Sequence, residues 1–185
     1  MTADPTHRLT PFRVHVTDPP WKFGDSLPGK SRGASKNYAC MSLQQLIDFP
    51  LPEMAEDSVL FMWRVSSMQD DACDLMASWG FRLHSEIVWE KLTKTGKDHF
   101  GMGRIVRGAH ETCLIGVRGK ATRFVKAKNV RSRFAAPVGR HSEKPDAFYE
   151  IVESLFPGPY VETFARRRRA GWTQFGDQLP AEVAA

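Results

Sequence analysis

Apolar and polar positions alternate from Phe12 to Thr17, and the segment is rich in β-branched residues, so it predicts a strand. Pro19 and Pro20 then end it. Neither can donate to a sheet ladder, and each disfavours the α region for the residue before it. Ser42 with Gln45 three residues on is a capping box, predicting a short helix that stops before Pro50. Ser58 to Trp63 is almost continuously apolar, as in a buried parallel strand. Ala72, Leu75, Met76 and Trp79 recur at helical spacing, with Gly80 where the helix would end. Further strands are expected at about Leu83 to Trp89 and Thr112 to Val117. A helix capped by Ser142 follows, with Phe148, Ile151, Val152 and Leu155 on its apolar face, and then a strand from Tyr160 to Phe164. Residues 23–37 and 93–108 read as polar, glycine-bearing loops, and 119–140 as an exposed basic insert. Position alone makes the first of these a plausible substrate-covering flap. Strand and helix alternate without repeat or linker. The expectation is one α/β domain over residues 1–185 with a mostly parallel sheet.

Composition narrows this further. A chain of 185 residues with 42% hydrophobic and 25% charged residues can bury one core. No apolar run is long enough to span a bilayer, and the first residues lack a secretory apolar stretch. Cys40, Cys73 and Cys113 form no disulfide or metal pattern, so no metal and a reducing, cytoplasmic setting are expected. The net charge of +5 is uneven: from Lys91 to Lys144, 14 Lys or Arg face only Asp98, Glu111 and Glu143. A basic block in an otherwise acidic chain suggests a polyanion partner, with Lys126, Lys128 and Arg131 as phosphate contacts. A solvated loop region is the plainer alternative.

The candidate chemistry lies in Asp18-Pro19-Pro20-Trp21, at the C-terminal end of the first strand, where ligands sit in open α/β sheets. A carboxylate and a backbone carbonyl side by side suit a substrate bearing an NH2 group. The indole offers a stacking face for a flat heterocycle. The exocyclic amine of adenine satisfies both. Its lone pair is delocalised into the ring, and acceptors on its two hydrogens favour the pyramidal geometry that attacks an electrophilic methyl group. These four residues alone fit an ordinary Asx-type turn equally well.

Many further residues stand in register with that turn: Tyr38 with Met41-Ser42, Leu60 to Trp63, Trp79-Gly80-Phe81, and Glu86 to Trp89 with Lys91. They continue with His110-Glu111, Cys113-Leu114, Gly116-Val117, Arg140 to Pro145, Glu162 to Arg166, Gly171-Trp172 and Gly176. From Val14 to Leu179 the chain resembles the adenine N6-methyltransferases named after the seventy-kilodalton subunit of the mRNA methylase, in a bacterial or phage-like form. The resemblance implies a Rossmann-like class I methyltransferase fold with helices on both faces. The order is permuted, with the catalytic turn early and the cofactor-binding strand late. It implies S-adenosylmethionine as methyl donor. Glu162 would accept from the ribose hydroxyls, Arg166 would lie over the adenosine half, and Lys144 would meet the methionine carboxylate. Asp177 and Gln178 would contact the ribose, although the family often has asparagine at the Asp177 position. Asp18 and the Pro19 carbonyl would hold the amine, with Trp21 or Tyr38 against the base. Longer members carry an upstream acidic residue and zinc fingers that this sequence does not contain. The implied substrate is adenine in nucleic acid, DNA favoured over RNA, with no membrane partner and with a homodimer or heterodimer open. An RNA adenine methyltransferase, a small-amine methyltransferase and a non-catalytic nucleic-acid-binding partner subunit are the alternatives, and the intact turn argues against the last.

Overall fold

Val59, Phe61 and Trp63 pack on one face of the central sheet and Leu60 and Met62 on the other, all five fully buried. The two-residue period of a strand, acting between two covered faces, leaves no polar alternation to see. The computed structural model that shows this describes residues 10–22, 40–101, 103, 105–140 and 142–180. The expected flap at 23–37 and the candidate Tyr38 lie outside the described residues.

The elements run β1 (Phe12–Thr17), α1 (Leu43–Ile47), β2 (Met54–Arg64), α2 (Gln69–Ser78), β3 (Arg82–Leu92), β4 (His110–Arg118), β5 (Arg133–Pro137), α3 (Asp146–Leu155), β6 (Tyr160–Thr163) and β7 (Trp172–Phe175). They form one seven-stranded sheet in the order β5-β3-β4-β2-β1-β6-β7. β1 pairs parallel with β2 and β6, β6 with β7, and β3 with β5, while β4 lies antiparallel between β2 and β3. α3 covers one face through Phe148, Tyr149 and Val152, and α1 and α2 cover the other through Leu46, Ala72, Leu75 and Met76. The result is a mostly parallel, Rossmann-like sheet with helices on both faces. Among the described residues, no helix is long and apolar enough to cross a membrane.

Three expectations need correction. The segment 119–140 is not simply an exposed insert. It contains a 3₁₀ turn (Ala121–Phe124) and the edge strand β5, buries Ala121 and Ala136, and packs Phe124, Val125, Phe134 and Val138 on the α3-side core. Part of its charge is already matched: Arg123 lies 2.6 Å from Asp57, Arg133 lies 2.6 Å from Glu90, and the Lys126 amine donates to the Glu153 carbonyl at 2.6 Å. Ser142 does not cap α3. The N-cap is Pro145, without a side-chain bond, and Ser142 has φ 61°, outside the extended conformation an N-cap adopts. The last strand ends at Thr163, and a further strand, β7, follows it.

Two polar clusters hold the sheet where the site will form. The His15 ring lies 2.8 Å from the Thr163 hydroxyl, which donates to the Thr17 hydroxyl at 2.9 Å. With its own proton so committed, Thr163 accepts from His15, which fixes the tautomer at Nε2–H. Complete burial pushes the imidazole pKa down to about 3, so the ring is neutral. Beyond β6, Arg167 binds Asp146 at 2.6 Å, Arg169 binds Glu153 at 2.8 Å, and the Trp172 indole donates to Glu153 at 2.7 Å. Two contacts from the β6–β7 connection and one from the first residue of β7 thus fasten this region to α3.

Candidate active site

The turn after β1 is set mainly by its own backbone. The Trp21 amide donates to the Pro19 carbonyl and the Met41 amide to the Pro20 carbonyl, both at 2.8 Å. Pro19 keeps a second lone pair for another donor. The Trp21 indole donates to the Trp63 carbonyl at 3.1 Å and is 3% exposed, in the core beneath α1 and α2. It anchors the turn rather than presenting an open stacking face.

Asp18 is thereby held at the C-terminal edge of the sheet, where charges alternate. Lys144 Nζ lies 2.7 Å from Asp18 Oδ2 and 3.2 Å from Glu111 Oε2. Lys91 Nζ binds Glu111 Oε1 at 2.5 Å, and Arg166 approaches Asp18 Oδ2 at 3.9 Å. Lys144 also sits 5.1 Å over the Trp63 ring, with its side chain 6% exposed. Burial alone would lower the Lys144 pKa, yet Asp18 and Glu111 outweigh it and hold it above the usual lysine value. Burial alone would raise Glu111, and Lys144 and Lys91 hold it below the usual carboxylate value. The ammonium is therefore charged and clamped between two anions.

Two clefts meet at Asp18. One, of about 220 Å³, is lined by Asp18, Pro20, Phe164, Arg166, Asp177 and Gln178. The other, of about 190 Å³, is lined by Asp18, Pro19, Trp63, Arg64, Glu111 and Lys144, with His110 and Ser142 at its wall. Each cleft has a non-glycine residue in the left-handed region, Phe164 at φ 60° and Ser142 at φ 61°. Such backbone costs roughly 1–3 kcal/mol and clusters at functional sites. Gly176 brings Asp177 and Gln178 to the first cleft, because a Cβ there would meet the Ala165 carbonyl oxygen at 2.2 Å. Carboxylate, amide and guanidinium around a niche at the strand ends suit the hydroxyls and ring nitrogens of a nucleoside. The residues present therefore fit the nucleoside half of S-adenosylmethionine.

The structure brings together Asp18, Pro20, Arg166, Asp177 and Gln178 on one wall and Asp18, Pro19, Trp21 and Lys144 on the other. Lys144 stands two residues before α3 and lines the second cleft, not the first. Glu162 is not on either wall. Its Oε1 accepts from the Tyr149 hydroxyl at 2.7 Å and its Oε2 from Gln174 at 2.6 Å, and burial raises its pKa. Lys126 is tied to the far end of α3, about a helix length from Lys144 (roughly 15 Å for ten residues), and exposed Lys128 and Arg131 follow it. Glu111, Arg64 and Gln174 escaped the residue-by-residue reading. The signal for Glu111 was its isolation, since it is one of three acids among 14 cations.

Two clefts that share one carboxylate at the C-terminal edge of a Rossmann-like sheet leave room for two ligands to lie side by side there. The chain belongs to the MT-A70 family, a family of adenine N6-methyltransferases, which it matches over residues 12–178. It is 29% identical over 188 residues to the type II methyltransferase M.MunI of Mycoplasma sp, covering 91% of this chain and 78% of that protein. It is 27% identical over 180 residues to the N(6)-adenosine-methyltransferase MT-A70-like protein of Drosophila melanogaster, covering 92% of this chain and 27% of that protein. The human N(6)-adenosine-methyltransferase catalytic subunit METTL3 is also 27% identical over 180 residues, of which the chain spans 29%.

Proposed function

We propose that this protein methylates the 6-amino group of adenine in nucleic acid, with DNA as the preferred polymer and S-adenosylmethionine as the donor. The observation that carries the reading is that Asp18 belongs to both clefts, so one carboxylate borders the donor side and the acceptor side together. When bound, S-adenosylmethionine supplies a methyl group on a positively charged sulfur. Arg166, Asp177 and Gln178 hold the nucleoside half in the first cleft. Glu162 supports that wall from behind, through Gln174 on β7.

The adenine occupies the second cleft. Lys144 and Arg166 both approach Asp18 at Oδ2, so Oδ1 accepts one N–H of the amine and the spare lone pair of the Pro19 carbonyl accepts the other. These acceptors localise the nitrogen lone pair, an interaction stronger in the transition state than before it. With the donor bound, Asp18 would take up the surplus proton of the amine as it is methylated. Lys144 keeps that carboxylate oriented, and Glu111 keeps Lys144 in place. The basic stretch from Lys91 to Lys144 supplies charge for the polymer backbone. The relative spanned most fully of the three is named a type II methyltransferase rather than an adenosine methyltransferase, which supports DNA over RNA. Three cysteines, none in a disulfide, suit a cytoplasmic setting. The test is to incubate the protein and S-adenosylmethionine with DNA and with RNA, digest both, and measure N6-methyladenine by mass spectrometry. The reading expects product in the DNA arm; product in neither arm refutes it.

A further inference from the structure

The loop between β3 and β4 carries the most exposed large apolar side chains of the described residues. Ile105 is 98% exposed, Phe100 77% and Val106 76%. Such side chains are usually buried, and a cluster of them on a surface marks something that contacts a partner. The loop is built to present them. Thr93 accepts and donates across a tight turn to Lys97, and Leu92 bridges Asp98. The Gly101 amide then closes the tip by donating to the Gly108 carbonyl at 3.1 Å. Two glycines make that closure possible: a Cβ at Gly101 would meet the Gly108 oxygen at 2.3 Å, and one at Gly103 would meet the Val106 oxygen at 2.0 Å. Arg107 donates to the Gly103 carbonyl at 3.1 Å and lies 5.2 Å over the Phe100 ring.

Charge and position identify the occupant. Between residues 93 and 108 the sequence has Lys94, Lys97, Arg104 and Arg107 against the single acid Asp98, so the segment that carries the apolar tip is cationic. A polyanion with an apolar interior matches both features; an apolar protein surface matches only the tip. The loop also returns directly into His110 and Glu111, on the wall of the second cleft beside Asp18. An adenine in a duplex must leave the stack to reach that cleft, and its departure leaves an apolar gap between the neighbouring bases.

We propose that the tip formed by Phe100, Ile105 and Val106 is a wedge that enters the base stack of duplex nucleic acid and fills the gap left by the extruded adenine. The loop cations hold the flanking phosphates. This rests on the methyltransferase reading and deepens it, because a single strand needs no such wedge and the natural substrate is then a duplex.

The test compares wild type with the Ile105→Ser/Val106→Ser double variant on two probes: a random-sequence DNA duplex library and the same library as separated strands. Incorporation of N6-methyladenine is measured on each. Exposed side chains contribute little to the fold, so the melting temperature stays the same. The wedge predicts that the ratio of duplex to single-strand rate falls about tenfold in the variant. An unchanged ratio overturns it, whether both rates hold or both fall. If both rates fall together and sedimentation shows a dimer of wild type becoming a monomer, the tip is instead an interface between copies. A wild type that methylates neither probe fails the methyltransferase reading itself, and the wedge with it.

Discussion

Lys144 and Asp18, 126 positions apart in sequence, meet at 2.7 Å in the middle of the site, where the approach to α3 closes on the turn after β1. Glu111, from the start of β4, takes the other side of the same ammonium. Each of these ions depends on its neighbour, because a charge removed from water is tolerated only when paired.

Replacing Lys144 by Met therefore removes the ammonium shared by Asp18 and Glu111, leaving Glu111 to Lys91 and Asp18 to the longer approach of Arg166. Breaking a fully buried pair costs about 3–5 kcal/mol; with the Asp18 and Glu111 side chains 19% and 28% exposed, about 2–3 kcal/mol is expected here. The pH dependence changes as well. Glu111 is held below its ordinary pKa of 4.5, so its contribution is fully present above that value and is lost as pH falls through the lowered one. Without Lys144 the lowering shrinks, and acid unfolding starts at a higher pH. Thermal melts from pH 4 to 7 check this; an unchanged acid limb would show that Lys144 does not govern the cluster.

His15 gives the enzyme a second acid sensitivity. Its folded pKa of about 3 lies below the ordinary 6.5, so its contribution is present above pH 6.5 and is lost as pH falls toward 3. The loss is about 1.4 kcal/mol per pH unit, or roughly 2 kcal/mol by pH 5. Glu162, with its pKa raised by burial, works in the opposite direction, so the His15 contribution is read as the difference between wild type and His15→Gln. Denaturant titrations should show the slope in wild type and its loss in His15→Gln. A variant that retains the slope would place its origin elsewhere.

Glu162→Ala removes the acceptor shared by Tyr149 and Gln174. Leaving buried donors unsatisfied costs about 1–3 kcal/mol, seen as a lower melting temperature. Because Gln174 supports the strand that leads to Asp177 and Gln178, calorimetry should also show S-adenosylmethionine binding about tenfold more weakly. Lower stability with unchanged affinity would restrict Glu162 to the fold.

The basic residues should divide by location. Lys126 is committed to the Glu153 carbonyl at the far end of α3, so Lys126→Ala should leave the salt dependence of DNA binding as it is. Lys94→Ala/Lys97→Ala, in the loop that leads to the second cleft, should lower the slope of log affinity against log salt by about 0.9 for each phosphate no longer neutralised. The reverse pattern would place the polymer across the 119–140 face.

Most of the framework was legible because its signals are local. Alternation marked β1, the capping box marked α1, and spacing marked α2 and α3. β5 was hidden because Arg133, Ala135 and Pro137 point outward from an edge strand, so its inward Phe134 and Ala136 are too few to set a pattern. β7 is only four residues long and follows a run of arginines. Strand direction leaves no periodic trace, so β4 read like its parallel neighbours. In the site, the Asp18 turn was visible through its prolines. Glu111 was not, since its function depends on Lys91 and Lys144 arriving from β3 and the α3 approach. The place of Glu162 behind the wall likewise depends on Tyr149 and Gln174, contributed by two other elements.

The central claim is that Asp18 serves the methyl transfer itself rather than donor binding or the fold. Asp18→Asn keeps the shape of the side chain and removes its charge. Single-turnover methyl transfer to a DNA library should fall at least about a hundredfold, or roughly 2.7 kcal/mol of transition-state stabilisation, while S-adenosylmethionine affinity by calorimetry changes less than about threefold. A variant that transfers methyl at close to the wild-type rate, or whose loss is wholly one of donor affinity, would contradict the account.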